Sequence, residues 1–265
     1  MDKATWGGVV VGVGGIVGGL LLEGGKMSQV LQPTAAMIVF GGTLGAVLIQ
    51  FPLPVVGKAA RYLARVFFQP KQNAMARVEE LVKFANQARR EGIVSLDSKL
   101  EEIREPFLKK SLMLAVDGTE PQELRNIMEL DLDHQAEQED RIPQVFESAG
   151  GFSPTIGIIG AVMGLIQVMQ HLDKIDEVGR GIAVAFVATI YGVGAANLFL
   201  LPSAGKLRTR IREEQIVREM TLEGVVSILE GMNPRMLETR LHGFLAQEQE
   251  HKEQKSRATA AGAGQ

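Results

Sequence analysis

Residues 149–170 read AGGFSPTIGIIGAVMGLIQVMQ, with no Asp, Glu, Lys, Arg or His. A helix needs about 20 predominantly apolar residues to cross about 30 Å of hydrocarbon, so this stretch is long enough to span a membrane. Three more uncharged apolar runs of similar length lie at 4–22, 30–51 and 181–203. The sequence therefore predicts an integral membrane protein with four transmembrane helices.

Charged residues are concentrated between the membrane pairs and after the second pair, at 71–141 and 206–257. This alternation predicts an all-α protein with a helical cytoplasmic domain, in which the third and fourth spans extend into the cytoplasm. The predicted segments are transmembrane helices 1 and 2 at 1–54, a cytoplasmic helical domain at 55–148, transmembrane helices 3 and 4 at 149–204, cytoplasmic C-terminal helices at 205–246, and a disordered tail at 247–265.

The orientation is predicted from Lys and Arg residues near the ends of the spans. Eleven such residues fall on the side of the two termini and the 55–148 block, whereas the opposite side has only Lys26, Lys174 and Arg180. Positively charged loops stay in the cytoplasm. We therefore expect a multi-pass protein of the cell inner membrane with both termini cytoplasmic.

The charged blocks are expected to form helices. Residues 55–68 carry basic residues on one face and predict an amphipathic helix along the membrane surface. A second helix is expected at about 73–90, ended by Gly92, and Ser95 is expected to cap a third that Pro106 divides. Thr119, followed by Gln122 three residues on, predicts a capping box at the start of a long helix that runs into the third span.

Several functional classes are disfavoured by composition. The net charge of −3 gives no reason to expect nucleic-acid binding, and the absence of cysteine excludes disulfides and Cys-based metal sites. The glycine-rich stretch at 12–19 lacks the G-x-G-x-x-G spacing of a dinucleotide site. No catalytic constellation or pair of metal-ligating histidines is present. We therefore expect neither an enzyme nor a bound cofactor or metal.

Small residues recur at four-residue spacing in all the spans, which permits close helix contact in lipid. Such pairs serve equally for packing within one bundle and for packing between subunits. The pairs are Gly8 and Gly12, Gly14 and Gly18, Gly15 and Gly19, Gly41 and Gly45, Gly160 and Gly164, and Gly192 and Ala196.

Five segments resemble the MotA/TolQ/ExbB proton-channel family and, within it, the A subunits of flagellar stators. Those of the third and fourth spans are SPTIGIIGAVMGL at 153–165, and AFVATIYG at 185–192 with Leu201-Pro202 after it. The stator segments are RREGIVSLD at 89–97, LAVDG at 114–118 and EGVVSILEG at 223–231. The resemblance covers residues 1 to about 245.

This resemblance implies a homopentameric ring of A subunits around two single-span helices of a B-type partner. In the family that partner carries an intramembrane aspartate and a peptidoglycan-binding domain, and the complex turns ion flow into torque on the rotor switch complex. The spans of this chain lack a carboxylate, so its supply by a partner is consistent with the sequence.

The resemblance also assigns roles to residues of the third and fourth spans. Thr189 is expected to face the partner's aspartate, and Thr155 and Ala161 are expected to line the ion path. Pro154 and Pro202 match prolines that couple ion flow to movement. Ala161 stands where sodium-driven relatives usually have threonine, so the expected ion is a proton rather than sodium. From the residues alone, each polar group could equally bond to a neighbouring helix.

Rotor contacts are expected from the cytoplasmic block. Arg89 and Arg90 match a basic contact of the family, and Asp97 stands where the family usually has glutamate, with Glu101 and Glu102 one turn further on. The same residues also suit an ordinary solvated surface.

Two alternatives remain open at the level of sequence. An energiser of the TolQ or ExbB type would have three spans and a different partner. A secondary transporter would have broken spans around a solute site and usually an internally repeated chain.

Overall fold

The computed structural model describes residues 3–68, 73–172 and 175–245, so the predicted tail at 247–265 lies outside the described part. Every regular element in these residues is helical, which confirms the all-α class. The α-helices are α1 (Lys3–Leu22), α2 (Met27–Val30), α3 (Pro33–Ala36), α4 (Gly42–Gln50), α5 (Leu53–Phe68), α6 (Ala74–Glu91), α7 (Pro106–Val116), α8 (Pro121–Gln170), α9 (Ile175–Gly194), α10 (Leu201–Leu229) and α11 (234–245).

Four helical stretches of the described chain are long and apolar enough to cross a membrane. Two are short, Thr5–Leu22 and Pro33–Gln50, and two are long, Pro121–Gln170 and Val178–Leu229. The last two run well beyond the apolar segments at 149–170 and 181–203, as the sequence predicts. Four spans are thus available by length and composition.

The chain forms two compact units. Of the described residues, the first unit, here called the membrane unit, contains 3–68, 138–172 and 175–211, and the second, the charged unit, contains 73–137 and 212–245. Helices α8 and α10 contribute residues to both units.

Two buried clusters form the core of the membrane unit. Ala35 and Val39 pack with Val187 and Ala188 of α9, and a second cluster centres on Ala59, Ile142 and Leu207. The buried Ala59 lies on α5, whose opposite face carries the exposed Arg61. Helix α5 is therefore amphipathic, as predicted, and begins slightly earlier than expected.

Two π-helical segments interrupt the spans, at Met37–Gly41 and Ala195–Leu200. The second directly precedes Pro202, whose ring would meet the carbonyl of Leu198 in a regular α-helix and whose nitrogen has no hydrogen to donate. A π-turn bonds residues five apart and is wider than an α-turn. The wider turn accommodates the proline, so the helix continues through it instead of ending.

The charged unit has a single large core built from α6, α7, α8, α10 and α11. Leu81, Leu108, Met128, Met220 and Leu237 are among its fully buried side chains. These residues recur at helical spacing along otherwise charged segments, so each helix presents one apolar stripe to the shared core.

An ion cluster links three helices at the edge of this core. Arg125 Nη2 of α8 lies 2.9 Å from Glu223 Oε2 of α10, and Arg240 of α11 pairs with the other carboxylate oxygen. The hydrogen bond that Arg125 donates to Glu223 raises the pKa of the Arg125 guanidinium. Glu223 therefore joins two cations from different helices.

The predicted cap at Ser95 and the predicted division of a helix at Pro106 are both wrong. Ser95 lies inside a 3₁₀ segment, Ile93–Lys99, and its hydroxyl donates to the carbonyl of Gly92 instead of accepting from a helix N–H. The cap of α7 is Glu105, whose carboxylate accepts from the N–H groups of Phe107 and Leu108 at 3.0 and 2.6 Å. Pro106 therefore begins a helix, at the position where a missing N–H costs nothing, and does not divide one.

Thr119 is not the cap of α8, which begins at Pro121. Its N–H donates to the carbonyl of Leu114 at 3.1 Å, and Gly118 has a φ of 84°. A helix commonly ends in this way, with a glycine of positive φ followed by a residue whose N–H donates to the carbonyl five positions earlier. Thr119 therefore belongs to the end of α7.

Candidate functional site

Helices α8 and α9 approach each other closely through glycines in their apolar parts. A Cβ atom on Gly157 would lie 2.9 Å from the carbonyl oxygen of Ala188, and one on Gly192 would lie 2.6 Å from that of Ser153. These separations are shorter than a carbon side chain tolerates. The two backbones are thus in contact, as in other small-residue interfaces of membrane helices.

The same contact continues towards the other end of the two helices. A Cβ on Gly164 would lie 2.7 Å from the carbonyl oxygen of Gly181, and one on Gly160 would lie 2.8 Å from Ala188 Cβ. The predicted pair Gly160 and Gly164 therefore packs within the subunit, as does Gly192.

The glycines of α1 are different. No atom lies within 4 Å of a Cβ built on Gly8, Gly14, Gly15, Gly18 or Gly19. Gly12 alone among the paired α1 glycines meets a neighbour, Leu198 Cδ2 at 3.3 Å. Among the described residues of this chain, the small-residue pattern of α1 therefore makes few close contacts with another helix.

Pro154 and Thr189 lie at the Gly157–Gly192 contact. The Cα of Pro154 is 3.2 Å from a Cβ built on Gly192, and the Cα of Thr189 is 3.5 Å from one built on Gly157. Thr189 is half-buried, and its hydroxyl donates to the carbonyl of Ala185 at 3.2 Å. The structure thus brings together one predicted coupling proline and the main predicted ion-path residue.

Three other predicted residues of the spans lie apart from that contact. Thr155 is exposed and its hydroxyl donates to the carbonyl of Phe152 at 2.7 Å, while Ala161 is half-buried one and a half turns further along α8. Pro202 is exposed and lines a cavity with Lys206, at the far end of the fourth span. The two prolines therefore do not form one cluster.

Ser153 and Tyr191 make contacts between helices. The buried Ser153 hydroxyl donates to the carbonyl of Gly192 at 3.0 Å. Tyr191 donates to the carbonyl of Val30 at 2.6 Å, accepts from the N–H of Gln32 at 3.3 Å, and stacks on Phe40. Tyr191 therefore holds the chain where it enters the second span, a role that its sequence position does not reveal.

A buried carboxylate in the membrane unit was missed by the sequence analysis. Glu139 is 5% exposed and its Oε1 accepts a hydrogen bond from the Tyr62 hydroxyl at 3.0 Å. Tyr62 belongs to α5 and Glu139 to α8, so this bond ties the amphipathic helix to the helix of the third span. The signal available in the sequence was the one tyrosine of α5, whose hydroxyl needs a hydrogen-bond partner when it is buried.

The predicted rotor-contact residues are all exposed. Arg89 and Arg90 lie in the last turn of α6, and Asp97 follows after the bend at Gly92, where φ is 85°. Gln87 Nε2 donates to the carbonyl of Ser95 at 3.1 Å and fixes this bend. The two arginines also suit a helix C-terminus, where cations are favoured by the helix dipole.

The acidic residues beyond Asp97 differ in their surroundings. Glu101 and Glu102 are both exposed, and Glu102 accepts a hydrogen bond from Lys99 at 3.0 Å. Within the described part of the chain, no group of His, Asp or Glu side chains is arranged to hold a metal ion. The surface can therefore offer charges of both signs to a partner, through exposed pairs that are individually weak.

Comparison with known families finds two matches along the chain. Residues 99–220 match the MotA/TolQ/ExbB proton channel family, and residues 6–92 match the Motility protein A N-terminal family. The N-terminal match covers the first two spans and the two helices that follow, so the two matches together cover most of the chain.

Whole-length relatives point to the same group. The chain is 36% identical to Motility protein A of Bacillus subtilis over 249 residues, which is 92% of this chain and 91% of that protein. It is 29% identical to the chemotaxis protein PomA of Vibrio alginolyticus, covering 92% of this chain and 96% of that one.

Solved structures agree with the sequence matches. The C. jejuni MotAB structure superposes with a TM-score of 0.86 at 32% identity, covering 92% of this chain and 96% of that chain. The flagellar MotAB stator complex of Bacillus subtilis gives 0.82 at 33% identity, covering 91% and 96%. The chain therefore belongs to the MotA/TolQ/ExbB proton channel family, as a flagellar stator protein of the motility protein A type.

Proposed function

We propose that this chain is the A subunit of a proton-driven flagellar stator and that Thr189 meets a carboxylate supplied by a B-type partner. The close α8–α9 contact carries this proposal, because Thr189 and Pro154 both lie along it, in spans without Asp, Glu, Lys, Arg or His. A proton or ion crossing hydrocarbon needs a carrier group, and charged groups inside membranes are expensive unless they are functional. Membership of a proton channel family supports the same assignment.

The role of Thr189 is tested by removing its hydroxyl while keeping its shape. In cells that rely on this stator, Thr189→Val is expected to lower swimming speed strongly, whereas Thr189→Ser, which keeps the hydroxyl, retains most of it. Membrane levels of both variants are measured by immunoblotting. Equal swimming of the valine and serine variants would contradict the assignment.

The ion is proposed to be a proton because Ala161 offers no oxygen that could replace part of a sodium ion's hydration shell. Swimming speed is expected to be independent of external sodium at fixed pH and to collapse when a protonophore is added. Speed that follows sodium and ignores the protonophore would overturn this part. Ala161→Thr provides the matched change, since it introduces the missing oxygen at a half-buried site.

The partner is proposed to carry an intramembrane aspartate and a peptidoglycan-binding domain, and the A subunits are proposed to form a pentamer around two of its helices. The names of the two superposed MotAB structures support a B-type partner. Mass measurement of the purified complex in detergent tests the count. A ratio other than five A chains to two B chains would contradict the proposal.

Rotor contact is proposed for the exposed surface formed by Arg89, Arg90, Asp97 and Glu101. Arg89→Glu is expected to lower torque several-fold without affecting membrane assembly. The matched control is Arg235→Glu, which makes the same charge change at an exposed position of the same unit. A control variant that loses as much torque as Arg89→Glu would show that general charge, not this surface, matters.

The termini and the block at 55–148 are proposed to be cytoplasmic. The chain has no cysteine, so a single introduced cysteine is a unique label. An impermeant thiol reagent applied to cells with a permeable outer envelope is expected to label Ser28→Cys but not Ser98→Cys. Both positions are exposed, so labelling in the opposite pattern would reverse the orientation.

A further inference from the structure

A large apolar cavity lies within the membrane unit. It has a volume of about 620 Å³ and is lined by residues from five segments, among them Val13, Phe40, Val56, Phe146 and Leu198. The cavity is not fully enclosed, so an apolar group can enter it from its surroundings. An enclosed apolar cavity of about 150 Å³ is already enough to bind benzene, and this one offers about four times that volume.

A second cavity of about 420 Å³ adjoins the first and has a different character. The two share the lining residues Leu63, Leu198 and Phe199. The second is also lined by Thr5, Asn197 and Lys206, and the Lys206 ammonium donates to the Thr5 hydroxyl. One end of the combined space is thus cationic and polar, and the other is apolar.

This change in polarity follows the direction of the spans. Along α1, Thr5 and Gly8 line the polar cavity and Val13 and Ile16 line the apolar one. A rise of 1.5 Å per residue separates Thr5 from Val13 by about 12 Å along the helix axis. The cation therefore lies near the end of the span, and the apolar chamber extends from the level of α5, which contributes Ala59, deeper into the span.

We propose that the two cavities together bind one anionic phospholipid, with an acyl chain in the apolar chamber and the phosphate beside Lys206. A phospholipid is the membrane component whose own polarity changes in this direction and over this distance. Basic side chains at the end of a span attract anionic head groups. Helix α5, which lies at the membrane surface by its amphipathic character, contributes Leu63 to both cavities and would cover the bound lipid.

The main experiment measures retained lipid. The full chain, coexpressed with its B-type partner, is reconstituted into vesicles of phosphatidylethanolamine and phosphatidylglycerol in equal amounts, extracted in mild detergent, washed and examined by mass spectrometry. We expect about one tightly held phospholipid per chain, enriched in phosphatidylglycerol. Recovery of no phospholipid after washing would overturn the proposal.

Filling the apolar chamber should expel the lipid. Gly194 lines this chamber and has no atom within 4 Å of a built Cβ, so Gly194→Leu is expected to lower retention about ten-fold, equivalent to 1.4 kcal/mol. Gly19→Leu is the matched control, because Gly19 is equally open but does not line the cavity. If Gly194→Leu fails to assemble, Ala60→Phe fills the chamber from α5. Retention equal to that of the unaltered chain in an assembled filling variant would overturn the site.

The head-group contact has a readout of its own. Lys206→Gln is expected to abolish the preference for phosphatidylglycerol, and Lys206→Arg to preserve it. An unchanged preference in Lys206→Gln would overturn the phosphate assignment. This readout does not depend on ion flow or rotor contact.

Discussion

The glycines of α1 and those of the α8–α9 pair follow the same four-residue spacing, yet they have different surroundings. Gly157, Gly164 and Gly192 lie against the backbone of the neighbouring helix, whereas Gly15 and Gly18 have no neighbour within 4 Å. The four-residue spacing therefore indicates only that another helix can pack closely against this one. Whether a neighbouring helix of the same chain does so is known only from the structure.

The largest effect is expected where a glycine touches backbone. Gly192→Ala would place a methyl group 2.6 Å from the carbonyl oxygen of Ser153. Because backbone cannot rotate away as a side chain can, the helices must separate, at a cost of about 3 kcal/mol or more. Loss of the assembled complex in size-exclusion chromatography checks this; a normal yield would show that the helices are less tightly packed.

A smaller loss is expected for Tyr191→Phe. The substitution removes the hydrogen bonds to Val30 and Gln32 but keeps the ring stacked on Phe40. Leaving a buried carbonyl unpaired costs about 1–3 kcal/mol. The thermal midpoint of the purified complex should fall, and proteolysis should increase between the first two spans. Unchanged proteolysis would contradict a role for Tyr191 in holding that segment.

Ser153→Ala is expected to cost less, about 0.6 kcal/mol, which is typical of hydrogen bonds between membrane helices. The matched control is Thr155→Ala, because the exposed Thr155 hydroxyl bonds only within its own turn. The midpoint should fall for Ser153→Ala and stay nearly constant for Thr155→Ala. A larger loss for the threonine variant would place it in a contact with another chain.

The smallest effect is expected for Gly15→Ala, the counterpart of Gly192→Ala. The added methyl group meets no atom within 4 Å, and alanine favours a helix over glycine by about 1 kcal/mol at most. The stability of the chain should be unchanged or slightly higher. If the chain remains folded but the oligomer dissociates on native gels, the open face of α1 is an interface between subunits.

The spans and the long helices could be predicted because their signals are continuous in sequence. An uncharged run such as 149–170 excludes most alternatives to a membrane helix, and the predicted stop at Gly92 is confirmed, since α6 ends there and Gly92 has a φ of 85°. The family segments then identified the group to which the chain belongs.

The caps and the long-range contacts could not be predicted in the same way. Ser95, Glu105 and Thr119 all lie near helix ends, and which one caps depends on how the chain turns between them. Tyr191 and Val30 are 161 residues apart and Lys206 and Thr5 are 201 apart, distances over which helical periodicity carries no information. The two cavities arise from the same long-range packing.

The π-segment at Ala195–Leu200 places one extra residue in a turn of the fourth span. A π-turn contains one residue more than the α-turn it replaces, and one residue of α-helix corresponds to about 1.5 Å along the axis and about 100° around it. Resolving this turn into α-helix would advance and rotate one half of the span relative to the other without breaking the chain of backbone hydrogen bonds elsewhere. The same change would bring the Pro202 ring against the carbonyl of Leu198, so the proline opposes it and keeps the extra residue of the π-turn in place.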